Sequence, residues 1–389
     1  MKNHIYISKQ KSYNLAEIEK TLRLFFEQLN IDLLLSDKHK IIIKPNMLGA
    51  HHPDKAVTTH PIILEAVIRI LKDFNKDIVV GDSPGGIIKA KQIWNILGYT
   101  DICKKYNVEL IEFGKSGIVE INSISSNNQA IKFIIDKSVI DCDGIINLPK
   151  MKTHSMMLYT GAVKNLYGTI PGLYKSELHK MFPSPNQFTD VLSELYNIIH
   201  NKIILNIMDG IIGMDGEGPS AGKPAPFELL MVSQKASSLD YIASKMMGFE
   251  IKNLAYLQNA LTIDEIDINE DKISGAISID KEWQDYVIPN VNIKAVNFRN
   301  KFLNHIPKIF KKLFKKYFTF YPNFLPSCKL CEVCVKSCPV QALKLSKDKD
   351  KIVLNKDKCI NCLCCHEMCP YSAINIKKSF ISKMIFKDN

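Results

Sequence analysis

The sequence predicts an α/β chain: a large domain built on a mostly parallel sheet, followed by a small cysteine-rich α+β module. Three observations carry that expectation. Apolar runs such as KIIIKPN (40–46), DIVVGDSPGG (77–86) and GIINLPK (144–150) do not alternate with polar residues, and glycine or proline bounds them. Helix-like segments such as PIILEAVIRILKDF (61–74) lie between the runs. Strands covered on both faces lose their alternation, and parallel neighbours need crossover helices. Finally, nine of the eleven cysteines fall between Cys328 and Cys369, which sets the C-terminal region apart. At 389 residues and 46% hydrophobic composition, the chain can bury a substantial core and divides into two unequal domains.

Taken in order, the strands end on polar groups, and open α/β sheets bind ligands beyond the carboxyl ends of their strands. IIIKPN delivers Lys44 and Asn46, and IVVGDSPGG delivers Asp82 with a glycine-rich turn. INLPKMKTH delivers Lys150, Lys152 and His154, and GAVKNLYG adds Lys164 and Asn165. NIMDGIIGMDGEGPSAGKP adds Asp209, Asp215 and Glu217. Four lysines at strand ends suit a small ligand bearing carboxylate or phosphate, and a histidine beside them can move a proton near neutral pH. Strand alternation points Lys150 and Lys152 the same way, and Lys164 and Asn165 begin the next glycine-bounded turn. The expected site has Lys152 and Lys164 clamping the anion, His154 handling the proton, and Lys44 and Asn46 arriving from a neighbouring strand.

Residues 301–389 hold 18 lysines against 6 acidic residues, so the whole excess of the +11 net charge sits there. Only Arg23, Arg69 and Arg299 supply guanidinium forks, which argues against specific nucleic-acid recognition. HIPKIFKKLFKKYF (305–318) places apolar side chains on one helical stripe and lysines on the other, with Pro307 at its start. A basic amphipathic helix can meet an anionic membrane surface, but packing on its own protein is the favoured expectation. The domain expectations are residues 1–300 for the α/β domain, 301–322 for the linker helix, 323–380 for the cysteine module and 381–389 for a tail. The opening MKNHIYISKQ has no apolar leader, and no run of eighteen apolar residues occurs, so the expected location is cytoplasmic.

Two segments repeat one spacing: Cys328-x2-Cys331-x2-Cys334-x3-Cys338-Pro339 and Cys359-x2-Cys362-x2-Cys365-x3-Cys369-Pro370. This is the two-cluster bacterial ferredoxin pattern, in which three close thiolates wrap one 4Fe-4S cube and the fourth reaches the other. The module therefore reads as ferredoxin-like, with two 4Fe-4S clusters. Cys328, Cys331, Cys334 and Cys369 serve the first; Cys338, Cys359, Cys362 and Cys365 serve the second. A pair of zinc sites does not explain the repeated run. Cys364 is the spare sulfur, since using it in place of Cys365 shortens the spacing. A small buried residue is its simpler role, a redox-active or alternative ligand the sharper one. His366, Glu367 and Met368 occupy the following loop, where packing is the simpler reading and tuning of the cluster the alternative.

IKPNM, GDSPGG, the block LPKMKTHSMMLYTGAVKNLYGTIPG with a later His179, and DGIIGMDGEGPSAGKP resemble the Domain of Unknown Function 362 family. Its members often carry a C-terminal two-cluster ferredoxin module. The resemblance covers most of residues 40–250 plus the cysteine region, and it implies fold and module order while leaving the reaction open. His179 joins the site residues through it. The leading functional expectation is an iron-sulfur oxidoreductase passing electrons from its clusters to a small anionic substrate. The alternatives are an electron-transfer or maturation partner protein without its own substrate, and a non-redox enzyme with structural clusters. No nicotinamide or flavin fingerprint is present, and cubes transfer single electrons, so a two-electron reduction passes through a radical or needs a further cofactor.

Overall fold

A computed structural model describes residues 3–85, 87–267, 277–291 and 321–377. The proposed 306–318 helix lies outside them. The large domain is α/β, built on nine strands. Five are parallel neighbours in the order β4 (Glu109–Glu112), β3 (Asp77–Asp82), β2 (Lys40–Pro45), β7 (Gly144–Leu148) and β10 (Ile203–Asp215). The thirteen-residue β10 also pairs in parallel with β8 (Lys150–His154), which continues β7 beyond Pro149. Antiparallel additions complete the sheet: β9 (Leu158–Thr160) on β8, β11 (Lys223–Ser233) on β10, and β1 (Tyr6–Lys9) on β11. A separate hairpin joins β5 (Ile118–Ile124) to β6 (Ala130–Asp136).

The missing alternation has its cause in two apolar layers. Ile41 and Ile43 of β2 join one core cluster, together with Leu22 and Phe26 of α1 (Leu15–Gln28) and Ile63 and Val67 of α2 (Pro61–Asp73). Ile42 joins the other, with Val191 and Leu195 of α5 (Pro185–Ile199), Leu239 of α6 (Ala236–Met246) and Leu257 of α7 (Ala255–Ile263). Successive side chains of a strand point to opposite faces, and here both faces are covered, so Ile41, Ile42 and Ile43 are all apolar. The short helices α3 (Ala162–Asn165) and α4 (Tyr174–Met181) sit beyond the strand ends. Lys164 and Asn165 therefore close a helix where the sequence suggested a turn. The buried Asp240 carboxylate explains this by accepting from the amides of Ala162 and Val163 at 2.6 and 2.9 Å, capping α3 from α6.

The C-terminal module is α+β and internally repeated. β12 (Tyr321–Phe324) pairs with β15 (Ile374–Lys377), and β13 (Leu343–Leu345) pairs with β14 (Ile352–Leu354). Tyr321 and Pro322, grouped with the linker from sequence, are thus part of the module's first strand. The helices α8 (Val333–Lys336) and α9 (Cys364–Glu367) each follow a residue in the left-handed region, Glu332 at φ 58° and Leu363 at φ 62°. Leu330 and Asn361 repeat that conformation two residues earlier. The module docks on the loop after β10: Ser220 Oγ donates to the His366 carbonyl at 3.2 Å, and Ser372 Oγ donates to the Ser220 carbonyl at 3.1 Å. Gly85 lies against Met368 so closely that a Cβ there overlaps the methionine sulfur.

Candidate redox and ligand site

Between the two domains lies a cavity of about 630 Å³, its open mouth included. The α/β side contributes Asn46, Asp82, Lys152, His154, Lys164, Asn165, Lys175 and His179; the cysteine module contributes Cys364, Glu367 and Met368. A chain of amides sets the floor. Lys152 Nζ donates to Asn46 Oδ1 at 2.9 Å, Asn46 Nδ2 to Asn165 Oδ1 at 2.9 Å, and Asn165 Nδ2 to Asn147 Oδ1 at 2.8 Å. Asn147 Nδ2 then donates to Asn206 Oδ1 at 2.8 Å, and Asn206 Nδ2 ends the chain on the Ser233 carbonyl. Each amide spends its donor on the next acceptor, so every orientation is fixed and Asn46 can only accept from Lys152.

The lysines divide by their partners. Lys44 Nζ is 3.0 Å from Asp82 Oδ1, while Asp82 Oδ2 accepts from the Met47 amide at 2.8 Å, so this pair braces two strand ends. Gly168 packs over it, where a Cβ collides with Asp82 Oδ1. Lys152, Lys164 and Lys175 carry no ion pair among the described residues. Burial, reinforced by Lys164 and Lys150, drives Lys152 well below the ordinary lysine range. Burial also lowers Lys164, outweighing the attraction of Glu367 and Cys364, and its ammonium lies 5.9 Å from the centre of the Tyr167 ring.

Lys175 and Glu367 escaped the sequence-based site. Lys175 lies one helical turn before His179 on α4, and both line the cavity although α4 is rich in polar residues. That i, i+4 pairing was the available signal. Burial brings Lys175 down to about 7, where it is half charged at neutral pH. Burial beside Lys164 lowers His179 to about 3, so its imidazole is neutral; it stacks on Phe188 at 4.1 Å, and its buried Nδ1 has no partner among the described residues. His154 is fully buried. Its Nδ1 accepts from the amides of Met156 and Met157 at 3.0 and 3.2 Å, which puts the ring proton on Nε2, 3.3 Å from Glu367 Oε1.

Five expected ligand-binding residues stand outside the cavity lining, Lys44 in its pair with Asp82 among them. Lys150 Nζ meets Asp209 Oδ2 and the Tyr13 hydroxyl, both at 2.8 Å, in a buried network outside the cavity lining. The Tyr13 hydroxyl also donates to Asp209 Oδ1 at 2.8 Å, so the carboxylate is saturated by its own protein. Asp215 ends β10, and Glu217 sits in the docking loop, where its carbonyl faces His366 Nε2 at 3.2 Å. Neither side chain lines the cavity.

Two further cavities occupy the cysteine module. Cys328, Cys331, Cys334 and Cys369 line one; Cys338, Cys359, Cys362 and Cys365 line the other, together with Cys364. Among the described residues, no three His, Cys, Asp or Glu side chains converge on a single-ion position. Backbone amides point at the sulfurs in both halves: Ala342 N donates to Cys338 Sγ at 3.2 Å and Ala373 N to Cys369 Sγ at 3.3 Å. Such N–H···S bonds and crowded thiols fit 4Fe-4S clusters, whose charge they stabilise. Cys364 is buried and shares the lining of the second cavity with Cys362.

Comparison with known proteins agrees with this layout. The family model described as Domain of unknown function (DUF362) matches residues 41–245, and a 4Fe-4S dicluster domain matches residues 327–373. The thylakoid-associated protein sll1697 of Synechocystis sp. is 28% identical over 252 residues, 64% of this chain and 76% of that protein. A ferredoxin of Methanothermococcus thermolithotrophicus is 35% identical over 48 residues, 12% of this chain and 78% of the ferredoxin. The lactate racemase apoprotein of Thermoanaerobacterium thermosaccharolyticum superposes with a TM-score of 0.38 and 11% identity, covering 63% of this chain and 56% of that one. Among the described residues, no helix is long and apolar enough to cross a membrane. The chain therefore belongs to the DUF362 family and carries a 4Fe-4S electron-transfer module at residues 327–373.

Proposed function

We propose that this protein is an iron-sulfur oxidoreductase, with two 4Fe-4S clusters, that reduces a small anionic ligand held in the cavity between its domains. The observation that carries the reading is the composition of that cavity: lysines without carboxylate partners on one wall and residues of the second cysteine run on the other. Cys328, Cys331, Cys334 and Cys369 hold one cluster, and Cys338, Cys359, Cys362 and Cys365 the other. When bound, each cube supplies single electrons.

The protein's own groups do the rest. Lys164 and Lys175 neutralise the ligand's anionic group in a site where little water competes, which strengthens each contact. Lys152 is held by Asn46 and the Val57 carbonyl, so it shapes the floor rather than serving as the main clamp. Glu367 and His154 stand together at 3.3 Å as the groups that hold and pass a proton at the cavity wall. A separate redox protein refills the clusters, and the cytoplasm is the proposed setting.

The test is anaerobic stopped-flow absorbance of the reduced holoprotein mixed with fractions of small carboxylates and phosphate esters. A fraction that reoxidises the clusters in the wild type, and fails to do so in Lys164→Met, supports the reading. Reoxidation no faster than in buffer for every fraction, or equal rates in the variant, refutes it and favours a carrier whose partner is another protein.

A further inference from the structure

One residue is shared among the linings of the three cavities. The lining of the first cysteine cavity has no residue in common with the ligand cavity. The second has one, Cys364, which lines both. It is 2% exposed and lines the second cavity two residues from Cys362, one of that cavity's four thiols. Lys164, Glu367 and Tyr167 line the ligand cavity together with it. Cys331, in the first cavity, is by contrast an exposed cysteine.

From this arrangement we infer that the second cluster is the one that serves the ligand, and that Cys364 is the positioning residue linking them, its S–H donating to the Cys362 sulfur. The physical reason lies in how cluster potentials are set. A hydrogen bond to a ligating sulfur stabilises the more negative, reduced cluster, and so does a nearby positive charge. A thiol that touches both the cluster's sulfur and the ligand's cavity feels an anion arriving beside Lys164 and passes that change to the second cluster alone. The electron order follows. Cys328, Cys331, Cys334 and Cys369 would hold the cluster that an external one-electron donor meets, with Cys331 on the exposed side. Cys338, Cys359, Cys362 and Cys365 would hold the cluster beside the ligand cavity, which would supply the ligand one electron at a time and be refilled from the first. Cys364 neither gains nor loses electrons in this sequence. This inference rests on the proposed function only in taking the cavity as the ligand's site.

The experiment is a potentiometric titration of the anaerobic holoprotein followed by electron paramagnetic resonance. Cys331→Ser, which changes a thiol of the first cavity only, assigns the two sets of signals. In Cys364→Ala the potential of the second cluster falls and that of the first stays. Cys364→Ser, whose hydroxyl donates from the same position, returns the second cluster toward the wild-type value. Sulfate added to the wild type shifts the second cluster's signal and not the first's, and Cys364→Ala abolishes the response. If Cys364→Ala does not retain iron, Cys364→Ser and the wild type with sulfate decide the matter. An unmoved second cluster in Cys364→Ala, a first cluster that moves as far, or a serine that fails to rescue overturns the inference. A potential that moves in Cys364→Ala without any sulfate response supports the thiol link and removes the ligand reading of the cavity.

Discussion

Lys164→Met separates ligand binding from folding, because the structure assigns the two effects opposite signs. The ammonium stands over Tyr167 at the cavity wall without an ion pair, and burial outweighs the attraction of Glu367 and Cys364 in lowering its pKa. Holding the charge there therefore costs the fold stability, and methionine of similar shape removes that cost. For an anion the charge is the attraction. A hydrogen bond to a charged group contributes about 1.5–3 kcal/mol, which corresponds to an affinity loss of about 10- to 150-fold. Sulfate serves as the probe because it does not titrate near neutrality, and low ionic strength keeps screening small. Isothermal calorimetry on the anaerobic holoprotein reads the affinity, and thermal unfolding without sulfate reads the stability. The expected result is weaker sulfate binding with an unfolding temperature at or above that of the wild type. An affinity unchanged within about twofold, or a variant that loses affinity because it unfolds, refutes the assignment of Lys164 as the anion's anchor.

Lys175 predicts a pH dependence. With its pKa lowered to about 7 it is charged below that pH and neutral above, so sulfate affinity falls as pH rises through about 7, and Lys175→Met flattens the profile. The sign for folding is the reverse: between about 7 and 10.5 the unfolded chain binds more protons than the folded one, so this residue's destabilising contribution shrinks with rising pH across that window. Gly168→Ala forces a Cβ into Asp82 and to 2.5 Å from Lys44 Nζ, so it separates a buried ion pair and lowers stability by about 3–5 kcal/mol in urea unfolding. A loss under about 1 kcal/mol shows that the pair relaxes around the methyl group. Iron and sulfide analysis of the anaerobic protein gives about eight irons per chain, Cys365→Ser loses about half of them, and Cys364→Ser keeps them all.

What the sequence determined by itself was whatever depends on spacing along the chain. Unalternating apolar runs announced a sheet covered on both faces, and Ile41, Ile42 and Ile43 bear this out by dividing between two core layers. The repeated cysteine spacing defined two sets of thiols, because wrapping a cube is a local act of a dozen residues joined to one distant cysteine. Strand ends marked the region of the cavity between the domains for the same reason: the carboxyl edge of a parallel sheet follows from strand direction alone.

Partnership between distant segments was decided only by the tertiary structure. Lys150 and Lys152 are two residues apart, yet one is saturated by Tyr13 and Asp209 while the other reaches the cavity through Asn46. No local pattern distinguishes them, since Tyr13 comes from the far end of the sequence. Lys164 stands in a helix because Asp240, in a helix on the other side of β10 and β11 in the sequence, caps it. Lys175 and His179 occupy a polar helix that reads as a solvated surface; its position over the cavity buries them. Cys364 and Glu367 are the clearest case, since their spacing belongs to the cysteine loop and their place in the cavity lining comes from docking on Ser220 and Gly85. Spacing carries chemistry that one short segment completes, whereas a site assembled across an interface depends on which surfaces fold against each other.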